Sequence, residues 1–403
     1  MRTERSDAIV VGGGPAGAAT AIMLSRLGHD VVLLDRMHFP RSKPCGEYMS
    51  PGVALTLERL GLLHALSPVV PRNVTGMDIV APSGTTLSMR YSSDGQPRSA
   101  ITLMRRDLDS QLIQLAVESR VRVLQGVPAR RPLLKDGKVA GVLASDAGDD
   151  VTFTAPLTIA ADGAQSVLAR GIGLSAPPRW PRRLGLVAHF REQPGVIRES
   201  GEMHVDHEGY CGIAPLPDGY LNVAMVLRED AVRRSAGTAT DLFDRWIERH
   251  PALRSALKGA KRVTPVRGVA RIGSRAVRPW HPGALLVGDA AGFFDPFTGE
   301  GIYRALNGAE LAALVAHEAL TRGDAGGARL QVYERLRRER FRDKQLVTTL
   351  VQLFVQYPRM MQYALPRLSR RPGPYAALSG ALGDLADPRR FLQPGTLWGA
   401  LHP

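Results

Sequence analysis

The spacing of apolar residues along the chain changes several times, and each change marks an element. Ala8–Val11 is a run without polar positions, which predicts a short buried strand over Asp7–Val11. Pro15–Leu27 follows the 3.6-residue period of a helix, with Gly28 placed for a left-handed cap. Val31–Leu34 returns to the buried-strand pattern, completing a βαβ unit of about 30 residues. A loop over Met37–Ser50 leads to a helix over Pro51–Leu60. The β-prone stretches Val74–Ala81 and Thr85–Tyr91 flank a Pro82-Ser83-Gly84 turn. Leu108, Leu112, Leu115 and Ala116 lie at helical spacing and predict an amphipathic helix over Arg105–Ser119.

Further along, Asp136-Gly137 has the chemistry of a two-residue hairpin turn, and Leu157–Ala161 reads as a strand running into Asp162-Gly163. From about residue 181 to 268 alternation dominates, in Leu184–Arg191, Gly209–Ala214 and Tyr220–Leu227, before a helix around Thr240–Arg249. Strands clustered in this way predict a separate sheet covering a pocket. Ala284–Val287 is again a buried strand, and from Glu300 onwards the chain is helical and increasingly basic.

Composition narrows the class. A chain of 403 residues with 44% hydrophobic and 22% charged residues builds a large core, which excludes disordered and collagen-like classes. The formal charge of +14 comes mostly from arginine and fits either a solvated basic surface or an anionic partner such as a lipid surface, a diphosphate or an acidic carrier protein. Scattered basic residues without a binding motif argue against nucleic acid. The two cysteines, Cys45 and Cys211, make neither a disulfide framework nor metal-type spacing, and a reducing cytoplasm is the expected location. The start of the chain has no signal-peptide pattern, and Gln345–Pro358 is too short and too polar to span a membrane.

The chemistry begins at Gly12-Gly13-Gly14-Pro15-Ala16-Gly17, a G-x-G-x-x-G match between a strand and a helix. There Gly12 permits a tight turn, Gly14 lets backbone approach a pyrophosphate, and Gly17 allows close packing. The helix N-terminus beyond Pro15 and Ala16 offers free N–H groups to phosphates. Asp35, at the end of the second strand, is placed for ribose hydroxyls and disfavours a 2′-phosphate. Far downstream, Gly288-Asp289 ends a buried strand, where Gly288 leaves room and Asp289 can accept from ribityl hydroxyls. Asp295-Pro296-Phe297-Thr298-Gly299-Glu300-Gly301-Ile302 then opens a helix whose dipole favours negative charge on a reduced flavin ring. This second element points to FAD rather than NAD.

With these motifs in hand, the sequence resembles the geranylgeranyl reductase group within the aromatic-hydroxylase superfamily of flavoproteins. The resemblance is carried by GGGPAG with Asp35-Arg36, by Phe39-Pro-Arg-Ser-Lys-Pro-Cys45-Gly46-Glu47, by Asp162-Gly163-Ala-Gln-Ser166, and by GDAAGFFDPFTGEGI. It implies an α/β fold with a discontinuous Rossmann-type FAD-binding domain (1–75, 101–180, 269–325), an inserted antiparallel-sheet substrate domain (76–100, 181–268) and a helical C-terminal region (326–403). It implies FAD contacts at Arg36, Cys45, Gly46, Arg105, Asp162 and Gly163, with Arg106 the poorer choice beside Arg105. It also implies a flavin-facing Cys45 that donates a proton, contacts substrate or only packs. NAD(P)H and a small redox protein both stand open as reductant.

One departure bears on substrate. Where these reductases carry a Tyr-x-Trp-x-Phe-Pro pattern, this chain has Tyr210-Cys211-Gly212-Ile213-Ala214-Pro215, so the bulky internal positions are small. The expected pocket at Tyr210, Gly212, Ala214 and Pro215 is therefore enlarged. The expected function is an FAD-dependent oxidoreductase on a bulky apolar substrate of polyketide, aromatic or isoprenoid type, free or linked to a carrier protein or diphosphate. Monooxygenation is slightly favoured over double-bond reduction. A non-catalytic lipid-binding module is the third reading. The stripe Leu346, Leu350, Leu353 and Phe354 behind an arginine run fits either core packing or peripheral membrane contact.

Overall fold

The two strands of the predicted βαβ unit, Ala8–Val11 and Val31–Asp35, pair in parallel at the middle of a six-stranded sheet. A computed structural model describes residues 2–177, 180 and 182–402, without the side chains of Ala270, Arg271 and Leu401. The sheet runs Arg122–Gln125, Val31–Asp35, Ala8–Val11, Leu157–Ala160, Ala284–Leu286, Trp280–His281, with only the last strand antiparallel. The apolar runs lack alternation because both faces are covered. Ala8, Val10, Val31, Leu33 and Ile159 face helices Pro15–Arg26, Arg105–Glu118 and Gly301–Thr321. Ile9, Val11, Val32 and Leu34 face Val142, Ala144, Val151 and Phe153 of a second, four-stranded sheet. That sheet contains the hairpin, whose Asp136 (φ 50°) and Gly137 (φ 72°) both take the left-handed conformation a two-residue turn needs. The architecture is α/β and Rossmann-type.

A nine-stranded sheet stands over this layer, built from segments between Gly76 and Arg98 and between Arg183 and Ile272. Strand Gly201–Asp206 joins the two segments by pairing in parallel with Gly76–Val80, so the sheet is antiparallel apart from this one ladder. Its polar Glu202 and His204 hide it from a hydrophobicity scan, as do the half-buried residues of edge strand Arg122–Gln125. Strand Arg267–Ile272 runs past residue 268, and the expected boundary at 181 lies outside the described residues. Phe243, Trp246 and Leu253, on helices Ala239–Arg249 and Pro251–Ala256, cover one face of the sheet. The other face meets the cavity and the C-terminal helices Gly327–Gln356, Pro358–Ser369 and Pro372–Leu382. Among the described residues no helix is long and apolar enough to cross a membrane.

Candidate active site

The glycine turn is shaped by sterics at two positions. A Cβ on Gly12 (φ 102°) would collide with the Ala161 carbonyl oxygen, and one on Gly17 would run into the Gly12 carbonyl oxygen. Gly14 differs, since its Cβ would meet only Arg41 Nη2 at 3.8 Å, so its backbone borders open space. Helix Pro15–Arg26 starts there without a side-chain cap, leaving its first N–H groups free beside the positive end of the dipole. Asp35 does not line this space. Its Oδ2 accepts the Gly13 N–H at 2.7 Å and its Oδ1 the Met37 N–H at 2.8 Å, so the carboxylate holds the turn from behind. Arg36 is the residue of that pair on the cavity wall.

The downstream segment closes on the same turn. A Cβ on Gly288 (φ 61°) would sit 2.8 Å from the Ala16 Cβ, and Asp289 lies 3.7 Å from Lys43 Nζ. Asp162 accepts the Val167 N–H at 2.7 Å with one oxygen, while its buried Oδ1 has no partner among the described residues. Burial pushes that carboxyl upward, partly opposed by Ser166, Val167 and Leu168. Pro296, Gly299, Gly301 and Ile302 line the cavity, as does Thr298, whose buried Oγ1 is also without a partner. Glu300 turns away, because its carboxylate sits 3.0 Å from Arg304 and 3.2 Å from the Thr348 hydroxyl.

Between these ends stand Gly163, Cys45, Gly46 and Arg105. Arg105 is buried and doubly bonded to Asp109, at 3.0 and 2.9 Å. Burial works against its charge, but Asp109 and the Cys45 sulfur prevail and raise the guanidinium above its usual value. Arg106 instead points to the surface beside Asp107. Cys45 is half-buried on the wall, whereas Cys211 faces the helices on the far side of its strand and burial pushes its thiol up.

Alternation along Gly209–Pro215 puts Tyr210, Gly212 and Ala214 on the cavity face. Pro215 is a correction, since it is absent from the wall and its carbonyl accepts the Thr102 hydroxyl. Across the sheet Met203 pairs with Gly212, and Gly212 with Ala224, so small residues floor this arm while Met77, Ile79, Met89, Tyr91 and Phe297 wall it. Pattern reading missed these wall residues because several elements contribute one or two each. Behind the floor, Asp295 binds the Tyr210 hydroxyl at 2.6 Å, Arg183 at 2.7 Å and Gln352 Nε2 at 2.7 Å. Burial, then Asp295, holds the Tyr210 phenol well above its ordinary value.

The result is one cavity of about 980 Å³ reaching from Arg36 to Leu382. Its polar arm carries two uncapped helix N-termini, a glycine cradle and two orphaned buried oxygens, which suits a long dinucleotide cofactor with a heteroaromatic end. These features define a flavoprotein of the Rossmann class. Residues 5–347 match the FAD binding domain family, and the chain belongs to it. It is 31% identical over 335 residues to digeranylgeranylglycerophospholipid reductase 2 of Methanopyrus kandleri, covering 81% of each chain. It is 27% identical to menaquinone reductase of Mycolicibacterium smegmatis, over 77% of this chain and 76% of that one. Its fold matches a geranylgeranyl bacteriochlorophyll reductase-like protein of Thermoplasma acidophilum with a TM-score of 0.80 at 25% identity, covering 99% and 97% of the two chains. The flavin-dependent brominase Bmp2 shares the fold alone, with a TM-score of 0.82 at 19% identity over 96% and 97%. The protein is an FAD-dependent oxidoreductase.

Proposed function

We propose that the chain saturates carbon–carbon double bonds of a lipid-like, isoprenoid substrate, with FAD held between its two glycine segments. The free N–H groups at Gly14–Gly17 would bind the diphosphate, Arg36 the adenosine end, and Asp289 the ribityl hydroxyls. Asp162-Gly163 and Arg105 would border the middle of the cofactor, and the segment from Pro296 to Ile302 its ring. Asp35 would act indirectly, by fixing the Gly13 N–H. Bound FAD, once reduced, supplies a hydride, and the reaction then needs a proton from a protein group. Cys45, beside the Arg105 guanidinium on the same wall, is the proposed contact between cofactor and substrate.

One observation carries the reading. The polar arm opens without interruption into an arm walled by Met77, Met89, Met203 and Phe297, a flexible apolar lining that fits a hydrocarbon chain. The reductases among the relatives support the same chemistry. Monooxygenation stands as the second reading because Gly212 and Ala214 leave room for a bulkier substrate. Exposed Leu346, Leu353, Tyr357, Met360 and Tyr363, with arginines around them, form the face we propose to rest on an anionic membrane. Leu350 and Phe354 of the expected stripe pack inward instead.

The deciding experiment is anaerobic turnover of reduced holoenzyme with a geranylgeranyl ether lipid as probe, read by mass spectrometry. Gain of two hydrogen masses per double bond without oxygen supports reduction. Product that forms only in air and carries one extra oxygen mass overturns it.

A further inference from the structure

Four carboxylates line the cavity among the described residues, and their partners differ. Asp289 lies near Lys43, Asp162 caps a short helix, and Glu202 is held ionised, since His204 and Arg198 outweigh its burial. Glu47 alone has a histidine and no cation as its ion-pair partner, with His189 Nε2 at 2.7 Å from its Oε2. Asn222 Nδ2 donates to the same oxygen at 2.9 Å, and the Arg105 N–H donates to Oε1 at 2.7 Å. Asn222 also donates to the Cys45 carbonyl at 2.9 Å, and the Glu47 N–H points at the Cys45 sulfur at 3.4 Å.

Two further facts give this cluster a direction. Glu47 has φ 53°, a conformation that costs a residue with a Cβ about 1–3 kcal/mol and that is held here by the bonds to its carboxylate. His189 keeps 21% of its side chain exposed, and its Nδ1 has no hydrogen-bond partner among the described residues. One ring nitrogen therefore touches a carboxylate on the cavity wall, while the other is left for solvent on a partly exposed side chain.

We propose that His189 and Glu47 form a proton route from solvent into the reaction cavity, with Asn222 and the Arg105 backbone as positioning groups. The proposal rests on the cavity being the FAD reaction chamber. Hydronium from solvent gives its proton to His189 Nδ1, leaving water, and the Nε2–H bond then breaks as an O–H bond forms on Glu47 Oε2. The neutral carboxyl passes that proton to the substrate carbon that does not receive the hydride, or to the Cys45 sulfur. His189 ends neutral with its proton on Nδ1 and Glu47 ends ionised; a flip of the imidazole ring returns the N–H to the Glu47 side, so each cycle moves one proton and no electrons. The ionisable groups placed against the pair are Cys45 and Arg105, with Asp109 behind it, while Asn222 and Thr264, both neutral, flank His189.

Cys45 supplies a readout that needs no substrate, because Cys211 is fully buried and iodoacetamide then reports Cys45 alone. In FAD-loaded protein the alkylation rate against pH is expected to show two ionisations, the thiol and the His189–Glu47 pair. His189→Gln should leave one, and Glu47→Gln should speed alkylation near neutral pH by removing the neighbouring anion. A wild-type profile with a single step, unchanged in both variants, overturns the proposal. With the lipid probe, His189→Ala should lower kcat by about 10²-fold with KM unchanged, and added imidazole should restore it. Unchanged kcat, or no rescue, also overturns it. If wild type takes up FAD but leaves the probe untouched, that failure falls on the proposed substrate, and the thiol profile alone decides the relay.

Discussion

Replacing Arg183 by methionine keeps most of the side-chain volume and deletes the charge at the centre of the network behind Tyr210. Asp295 Oδ2 then loses its donor at 2.7 Å, and Gln352 Oε1 loses the same guanidinium at 2.7 Å. Oδ1 keeps the Tyr210 hydroxyl, Gln352 Nε2 and the Phe297 N–H, so it is Oδ2 that is stranded. At 1% exposure Asp295 is shut off from bulk solvent. Removing one partner of a buried pair costs about 3–5 kcal/mol, against about 1 kcal/mol at most for an exposed pair. A chain of 403 residues unfolds with an entropy of about 0.8 kcal/mol per kelvin, so the midpoint should fall by about 4–6 °C. Calorimetry on FAD-saturated protein measures this directly. The double variant Arg183→Met/Asp295→Asn should recover much of the loss, because the amide carries no charge to strand. A drop under about 1 °C in the single variant, or a double variant no better than the single, would refute the buried-pair argument.

Three other outcomes follow from the same geometry. Gly17→Val should abolish the yellow holoprotein, since the new side chain would enter the Gly12 carbonyl; normal FAD uptake measured by absorbance would contradict the packing described. Gly212→Phe should leave FAD binding intact and cut turnover of the lipid probe at least tenfold, because the ring fills the apolar arm (a mere 1–3 kcal/mol of lost fit gives about that factor). Burial and the nearby His317, against a weaker pull from Asp7, lower the His29 pKa below 6.5. The unfolded chain therefore binds this proton first, and stability should be flat above about pH 6.5 and decline as pH falls below it. Denaturant melts of His317→Gln should show a shallower decline, and an equal one would remove the pair as its cause.

How far the sequence revealed the site depended on whether a residue's role is local. Gly12, Gly17 and Gly288 were legible because their demands come from turns and close approaches within a motif. Asp35 and Glu300 were placed in the right segments, yet their carboxylates are held by the Gly13 N–H and paired with the Arg304 charge rather than bordering the cavity, and side-chain direction is not a motif property. His189 and Asn222 gave no signal at all, and Glu47 stood only as the last residue of the Cys45 motif, with no role attached. They lie on a loop and on two strands, and only the pairing of His189 with Asn222 brings them together. Arg183, Asp295 and Gln352 were hidden for the same reason, being 112 and 57 positions apart across their bonds. Tyr210, Gly212 and Ala214 stood out only because the resemblance drew attention to their size.

The order in which the cavity wall is laid down along the chain has a consequence for biosynthesis. Its polar arm is lined by Gly14, Asp162, Asp289 and Ile302, contributed by segments that leave the ribosome at well separated times. A nascent chain that ends before Ile302 lacks part of this wall, so FAD uptake is expected only once the last of these segments has emerged, and absorbance of stalled chains of increasing length checks it.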